Sequence, residues 1–242
     1  VHTIARAGIA RLKSYIQPRI TRPLMERTKY RAFAGSPETS ITSYASKHEC
    51  DLIVVGAHDR HGLEYFLGTT ASAVLYRADC DVIGIRDRNI NEPYKSVVVA
   101  VDGGDQTRSI LDKAATIANK HKRRTIVTVI RPLALDYQFE NLGWETDKLT
   151  DLTSDLERSL VLQIENQVSS SRLSDLEVHT RRGKPSTELK AFAKEQKADL
   201  IVMGSGSRHG PGWMIGSTTH NLLHGVSCDV LVIRQSKPRT EQ

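Results

Sequence analysis

The sequence is poor in cysteine, poor in aromatic residues and free of long apolar runs. Three cysteines, Cys50, Cys80 and Cys228, with no CxxC spacing, cannot make a disulfide framework and argue against a zinc site. Such sparse thiols suit a reducing cytoplasm. Aromatic residues make up only 5% and form no stacking motif of the kind an RNA-binding sheet carries. Nucleic acid is therefore not the expected partner, although 34 basic residues against 28 acidic ones leave a net charge of +6. The basic residues are spread along the chain and read as solvated surface. Apolar runs such as Val97–Val101 fall far short of the roughly 20 residues that span a bilayer. No secretory apolar segment opens the chain, which begins at Val1 and enters directly into a helix-like pattern. No membrane association is expected.

What the sequence does have is an internal repeat. Asp51-Leu-Ile-Val-Val-Gly56 recurs as Asp199-Leu-Ile-Val-Met-Gly204, and Arg60-His61-Gly62 as Arg208-His209-Gly210. Gly68 recurs as Gly216, and Cys80-Asp81-Val82 as Cys228-Asp229-Val230, every time at an offset of 148. Residues 35–86 lie on 183–234 without a gap, with 20 of 52 positions identical. Chance does not keep such a register.

The second copy alternates strand and helix. Lys95–Val101, Arg124–Ile130, Leu176–Thr180, Leu200–Met203 and Val230–Ile233 read as strands. Between them, Asp105–His121, Leu149–Val168, the segment from Pro185 to about Gln196, and Gly216–His224 read as helices. This order predicts an α/β fold: an open, doubly wound parallel sheet with helices on both faces, in two copies. In the first copy, Ile4–Ile16, Pro37–Lys47 and Thr69–Arg77 read as helices, and Lys29–Ala34, Leu52–Val55 and Val82–Ile85 as strands. The first strand of this copy would fall about 54 residues before Val1. The expectation is a truncated form of a longer tandem chain. It comprises an incomplete domain over 1–87 that lacks its first two strands and first helix, a linker over 88–94, and a complete domain over 95–236.

The chemistry-bearing segment is a strand, a glycine-rich loop and a helix, running from Val202-Met203-Gly204 through Gly206, Ser207, Gly210 and Gly212 to Gly216-Ser217-Thr218. Small residues after a strand let the backbone approach a ligand closely. A helix start can hold phosphate, and the Ser217 and Thr218 hydroxyls can donate to it or simply cap the helix. Both readings stay open on this segment alone. It is neither a GxxxxGK[ST] phosphate loop nor a GxGxxG dinucleotide fingerprint.

Val99-Ala100-Val101-Asp102, the loop ending Gly216-Ser217-Thr218 and the terminal Cys228-Asp-Val-Leu-Val-Ile-Arg234 together resemble the universal stress protein family, in its tandem form. The likeness covers 95–234 as a full domain and 1–86 as the later part of another. Members that bind ATP carry Gly, two residues, Gly, about nine residues, then Gly-Ser/Thr. Here Gly204 is the first glycine, Ser207 stands at the second, and eight residues lead on to Gly216-Ser217. The resemblance implies ATP or ADP, with Mg²⁺ at the phosphates. Asp102 would face adenine or ribose, Val129 would line the adenine slot, and Val101 and Met203 would lie at the adjoining strand ends. Gly204, Ser207, Gly216, Ser217 and Thr218 would hold phosphates. It also implies pairing of the two copies through their final strands about a pseudo-twofold axis, with Gly84 opposite Val232 easing the approach, and allows a homodimer.

The first copy carries Asp59 where the second glycine belongs, and a carboxylate there repels phosphate, so this copy is not expected to bind ATP alone. His61 and His209 read as loop histidines, and His220 and His224 lack partners completing a metal set. Trp144 and Trp213 fall in loops; Asp147, Asp151 and Asp155 form one solvated helix face. Cys80 and Cys228 read as small core residues. No nucleophile–base constellation marks an enzyme. The expected function is a cytoplasmic, non-catalytic stress-response regulator in which nucleotide orders loop 205–215 and alters a partner surface. The alternative is a scaffold of the same fold without nucleotide.

Overall fold

A computed structural model describes residues 2–56, 68–86, 93–104, 106–119, 124–131, 146–170, 176–206 and 215–234. The chain opens with α1 (His2–Ile16), a 3-10 turn (Gln17–Arg19), α2 (Arg22–Arg27) and α3 (Pro37–Lys47), followed by β1 (Leu52–Gly56), α4 (Thr69–Arg77) and β2 (Asp81–Ile85). The second half runs β3 (Ser96–Val101), α5 (Thr107–Asn119), β4 (Arg124–Arg131), α6 (Thr146–Ser169), β5 (Glu177–Arg182), α7 (Pro185–Glu195), β6 (Leu200–Gly204), α8 (Ser217–Leu223) and β7 (Asp229–Ile233). Local chemistry sets the boundaries. Pro37 and Pro185 sit in the first turns of α3 and α7, where a missing N–H costs nothing, and Ser36 caps α3 by accepting from the Thr39 N–H.

The strands form one seven-stranded sheet in the order β1-β2-β7-β6-β3-β4-β5. All neighbours are parallel except β2 and β7. The five strands β7-β6-β3-β4-β5 are thus a parallel sheet, and helices cover both faces. One core joins Val98, Ile201, Met203, Val230 and Ile53 to Phe192 and Leu189 of α7, Leu222 of α8 and Val74 and Leu75 of α4. The opposite core joins Val97, Val99, Leu200, Val202 and Ile233 to Leu111 and Ala114 of α5 and Ile164 of α6. Alternate strand residues point to opposite faces, so central strands covered twice must be apolar throughout.

The antiparallel seam between β2 and β7 pairs Val82 with Val232, Ile83 with Leu231 and Gly84 with Val230. Gly84 therefore stands opposite Val230 and not opposite Val232, where the resemblance had put it. Ile83 and Leu231 are repeat equivalents and lie at the centre of the register, so the other two pairs interchange by a twofold rotation, which moves Gly84 onto Val230. The flanking bonds follow the same symmetry. The Arg86 N–H donates to Asp229 Oδ1 (2.7 Å) and the Arg234 N–H to Asp81 Oδ1 (2.9 Å). The Arg86 guanidinium reaches the Leu223 carbonyl, and that of Arg234 the equivalent Leu75 carbonyl. Burial lowers the pKa of both guanidinium groups.

One expected strand is not formed. Residues 28–34 have no regular structure. Their equivalent in the second half is β5, which gains its hydrogen bonds from β4. No described strand lies beside 28–34 to supply such a ladder, and β-branching and pattern alone do not make one. The short α2 has no counterpart in the sequence reading: its six residues carry a proline start but no apolar period.

Candidate functional site

From β3 the chain passes to β4 and β5 on one side, then returns through α7 to β6 on the other. The strand order reverses between β3 and β6. In open α/β sheets the crevice outside the carboxyl ends of the strands at such a point is where ligands sit. Ala100 pairs with Met203, so Val101 and Asp102 face Gly204 and Ser205 across this crevice.

On the β3 side, Val101 is buried and Asp102 is exposed. The Asp102 Oδ1 accepts from the Gly104 N–H at 2.9 Å, turning the chain away from the strand. Gly103 has φ +74°, and a Cβ there would collide with Leu160 of α6. The positive φ asks for glycine here, whereas the Leu160 methyl could shift to admit a Cβ. Val129 on β4 is the register partner of Val101.

On the β6 side, the Gly204 carbonyl accepts from Thr219 Oγ1 at 3.0 Å, the Ser205 N–H donates to the Ile233 carbonyl at 2.8 Å, and the Gly216 N–H donates to the Ser205 carbonyl at 2.9 Å. These bonds close the base of the loop. A Cβ on Gly216 would strike the Gly206 carbonyl oxygen, so this crossing demands glycine. Ser217 is exposed and Thr218 half-buried in the first turn of α8, whose cap position, Gly216, supplies no side-chain bond. The structure therefore brings Val101, Asp102 and the Val129 position to one side and Met203, Gly204, Gly216, Ser217 and Thr218 to the other. Ser207 lies outside the described residues, as do Asp59, His61, His209, Trp144 and Trp213.

Two further residues, Gln106 and Ser205, belong to this crevice without any mark in the sequence pattern. Gln106 lies across Gly204: a Cβ there would run into Gln106 Oε1, and one on Gly206 would be 3.6 Å from the same oxygen. Ser205 is buried, and its hydroxyl has no hydrogen-bond partner among the described residues. A buried hydroxyl without a partner beside a side-chain-free backbone fits a ligand that brings oxygen atoms, once Gln106 swings away. No sequence signal marks the Gln106 contact, because it depends on the meeting of two segments almost a hundred residues apart.

His220 and His224 stand with ring centroids 5.0 Å apart, and the Tyr76 hydroxyl contacts His220 Nδ1. Burial, followed by the proximity of His220, Lys190 and Arg86, lowers the His224 pKa from 6.5. No cluster of three or more metal-ligating side chains occurs among the described residues. Cys228 is buried, whereas Cys80 is half-buried.

A model of the universal stress protein family matches residues 21–86 and 93–234. The chain belongs to the universal stress protein family. A universal stress protein of Methanocaldococcus jannaschii is 26% identical over 159 residues, covering 62% of this chain and 88% of that protein. A universal stress protein A homolog of Coxiella burnetii is 44% identical over 52 residues, which are 22% of this chain and only 36% of the relative. Among solved structures, a functionally unknown protein of Pseudomonas aeruginosa superposes with a TM-score of 0.70 at 20% identity, covering 93% of this chain and 78% of the other. A universal stress protein of Archaeoglobus fulgidus gives 0.58 at 19% identity, covering 95% and 78%. These two likenesses establish the universal stress fold. No helix among the described residues is long and apolar enough to cross a membrane.

Proposed function

We propose that this universal stress protein is a non-catalytic, nucleotide-binding regulator of the cytoplasm. It takes ATP or ADP, with Mg²⁺ at the phosphates, in the crevice between the carboxyl ends of β3 and β6. The observation that carries this reading is the reversal of strand order at that point, with glycines at both rims and the buried Ser205 hydroxyl, which has no partner among the described residues, beside them. The Asp102 carboxylate would accept from ribose or adenine. Val101, Met203 and Val129 would form the apolar wall. The Gly204 and Gly216 backbones, with the hydroxyls of Ser207, Ser217 and Thr218, would hold the phosphates. Hydroxyls, amides and one carboxylate offer binding rather than a nucleophile with its base.

A second reading is supported by Gln106. Its amide already fills the space over Gly204, as it would in a scaffold that has given up nucleotide and works through its paired strands. Heating the purified protein and analysing the supernatant for released nucleotide separates the two readings, as does melting with and without Mg-ATP. Ligand at a hundredfold its Kd adds about 2.7 kcal/mol of stability. Gly216→Val should remove any such gain, and Gln106→Ala should enlarge it. Absence of both released nucleotide and a shift, in the wild type and in Gln106→Ala, leaves the scaffold.

A further inference from the structure

A cavity of about 520 Å³ opens where the two halves of the chain meet, lined among others by Cys50, Asp51, Cys80, Asp81, Lys113 and Arg234. Cys50 lies two residues before β1 and Cys80 one residue before β2. These strands are parallel neighbours, and Leu52 is the register partner of Asp81. The two cysteines therefore stand side by side at the same end of neighbouring strands, just outside the ladder, where both line this one cavity. Both side chains pack against the same apolar core, both are half-buried, and both are free thiols. The electrostatics bear on proximity rather than reactivity, since a raised thiol holds less thiolate. Burial first, and then the neighbouring Cys50, raise the Cys80 thiol above its usual 9.0. The arrangement is peculiar to the first repeat, because Ala198 occupies the position equivalent to Cys50.

We propose that Cys50 and Cys80 form a dithiol site that reacts with small-molecule disulfides and closes to an intramolecular disulfide. The exchange balances. One cysteine thiolate attacks a sulfur of the incoming disulfide, RSSR, breaking its S–S bond and releasing RS⁻. The second cysteine thiolate then attacks the resulting mixed disulfide, forming the Cys50–Cys80 bond and releasing the second RS⁻. The two cysteines are oxidised, RSSR is reduced, and the two protons end on two RSH molecules. The cavity gives the first thiol adduct room. The site also reaches the seam: Asp81, next to Cys80, accepts from the Arg234 N–H and pairs with Lys113 Nζ at 2.8 Å. In a reducing cytoplasm, a dithiol of this kind reports redox state rather than serving as a permanent staple.

The test exposes the whole protein to glutathione disulfide, blocks the remaining thiols in denaturant and maps tryptic peptides by mass spectrometry. Two of the three thiols should disappear, with peptides 48–60 and 78–86 joined, Cys228 alkylated and the link reversed by dithiothreitol. Cys50→Ala introduces the residue the second repeat already has, so it should fold, and it should abolish the link. Three alkylated thiols, a bridge involving Cys228, or glutathione adducts that persist on separate cysteines in the wild type would each overturn the proposal.

Discussion

The two copies of Leu-Ile-Val at positions 52–54 and 200–202 are identical in sequence and start strands of the same type, yet they live in different surroundings. Leu200 and Val202 are both 0% exposed, whereas Leu52 is 45% and Val54 62% exposed. Ile53 and Ile201, on the other face, are both buried. The difference therefore concerns one face of one strand. On that face β6 is flanked by β3 and covered by α5 and α6, while β1 ends the described sheet and has no such cover. Burial belongs to the neighbours, and an apolar residue is only an offer to be buried.

The sharpest way to break this comparison is to truncate the same residue in both copies. Leu200→Ala opens a cavity in a closed core and should cost about 3 kcal/mol. Leu52→Ala removes a side chain that already meets water and should stay within about 0.5 kcal/mol. Urea unfolding of both variants checks the contrast. Equal losses would mean that β1 is covered in solution by something the described residues do not include.

The same contrast explains which parts of the fold are legible in the sequence. Strands buried on both faces announce themselves as continuous β-branched runs, and the 148-residue repeat carries that reading to β1, β2, α3 and α4. Residues 28–34 fail because a strand is a pairing, and the pattern says nothing about whether the partner is there. At the crevice, the places of Asp102, Gly204 and Gly216 are legible, since strand ends and a glycine that meets backbone leave local marks. Those of Gln106 and Ser205 are not, because they follow from which segment each touches. The seam lies between these cases. Asp81 with Arg86 and Asp229 with Arg234 are retained at the repeat offset, a signal that the last strands share a task, although not that each aspartate serves the other copy's arginine.

A second comparison sets Cys228 against its repeat equivalent, Cys80. Burial pushes the Cys228 thiol from 9.0 up to about 12, while Cys80, half-buried, is raised for the same first reason. A folded-state pKa raised in this way means that the native protein keeps a proton the unfolded chain releases. The associated stability is intact below pH 9 and drains away as the pH climbs toward 12. At one pKa unit per 1.36 kcal/mol, the loss at a pH of about 10.5 is about 2 kcal/mol for Cys228. Urea melts at pH 8 and 10.5 should show Cys228→Ala flattening this alkaline limb far more than Cys80→Ala does. Equal flattening would show that the two thiols are buried alike.

The smallest expected effect lies at the seam, where the symmetry is closest. Asp81 and Asp229 each accept a backbone N–H from the arginine of the other copy, and asparagine keeps an oxygen for that bond. The two differ in what the second carboxylate oxygen meets. Asp229 Oδ2 accepts from the Tyr94 hydroxyl at 2.9 Å, a neutral donor, whereas Asp81 Oδ2 pairs with the Lys113 ammonium at 2.8 Å. The Lys113 side chain is half exposed, so water and salt screen that pair and limit it to about 0.5 kcal/mol. Asp81→Asn should therefore cost slightly more than Asp229→Asn at low ionic strength, and the gap should close as salt is raised to about 1 M. Chemical denaturation of the two variants with urea, which adds no salt of its own, resolves this. A gap that survives high salt would mean that the asymmetry lies in the arginine clasps and not in the charge of Lys113.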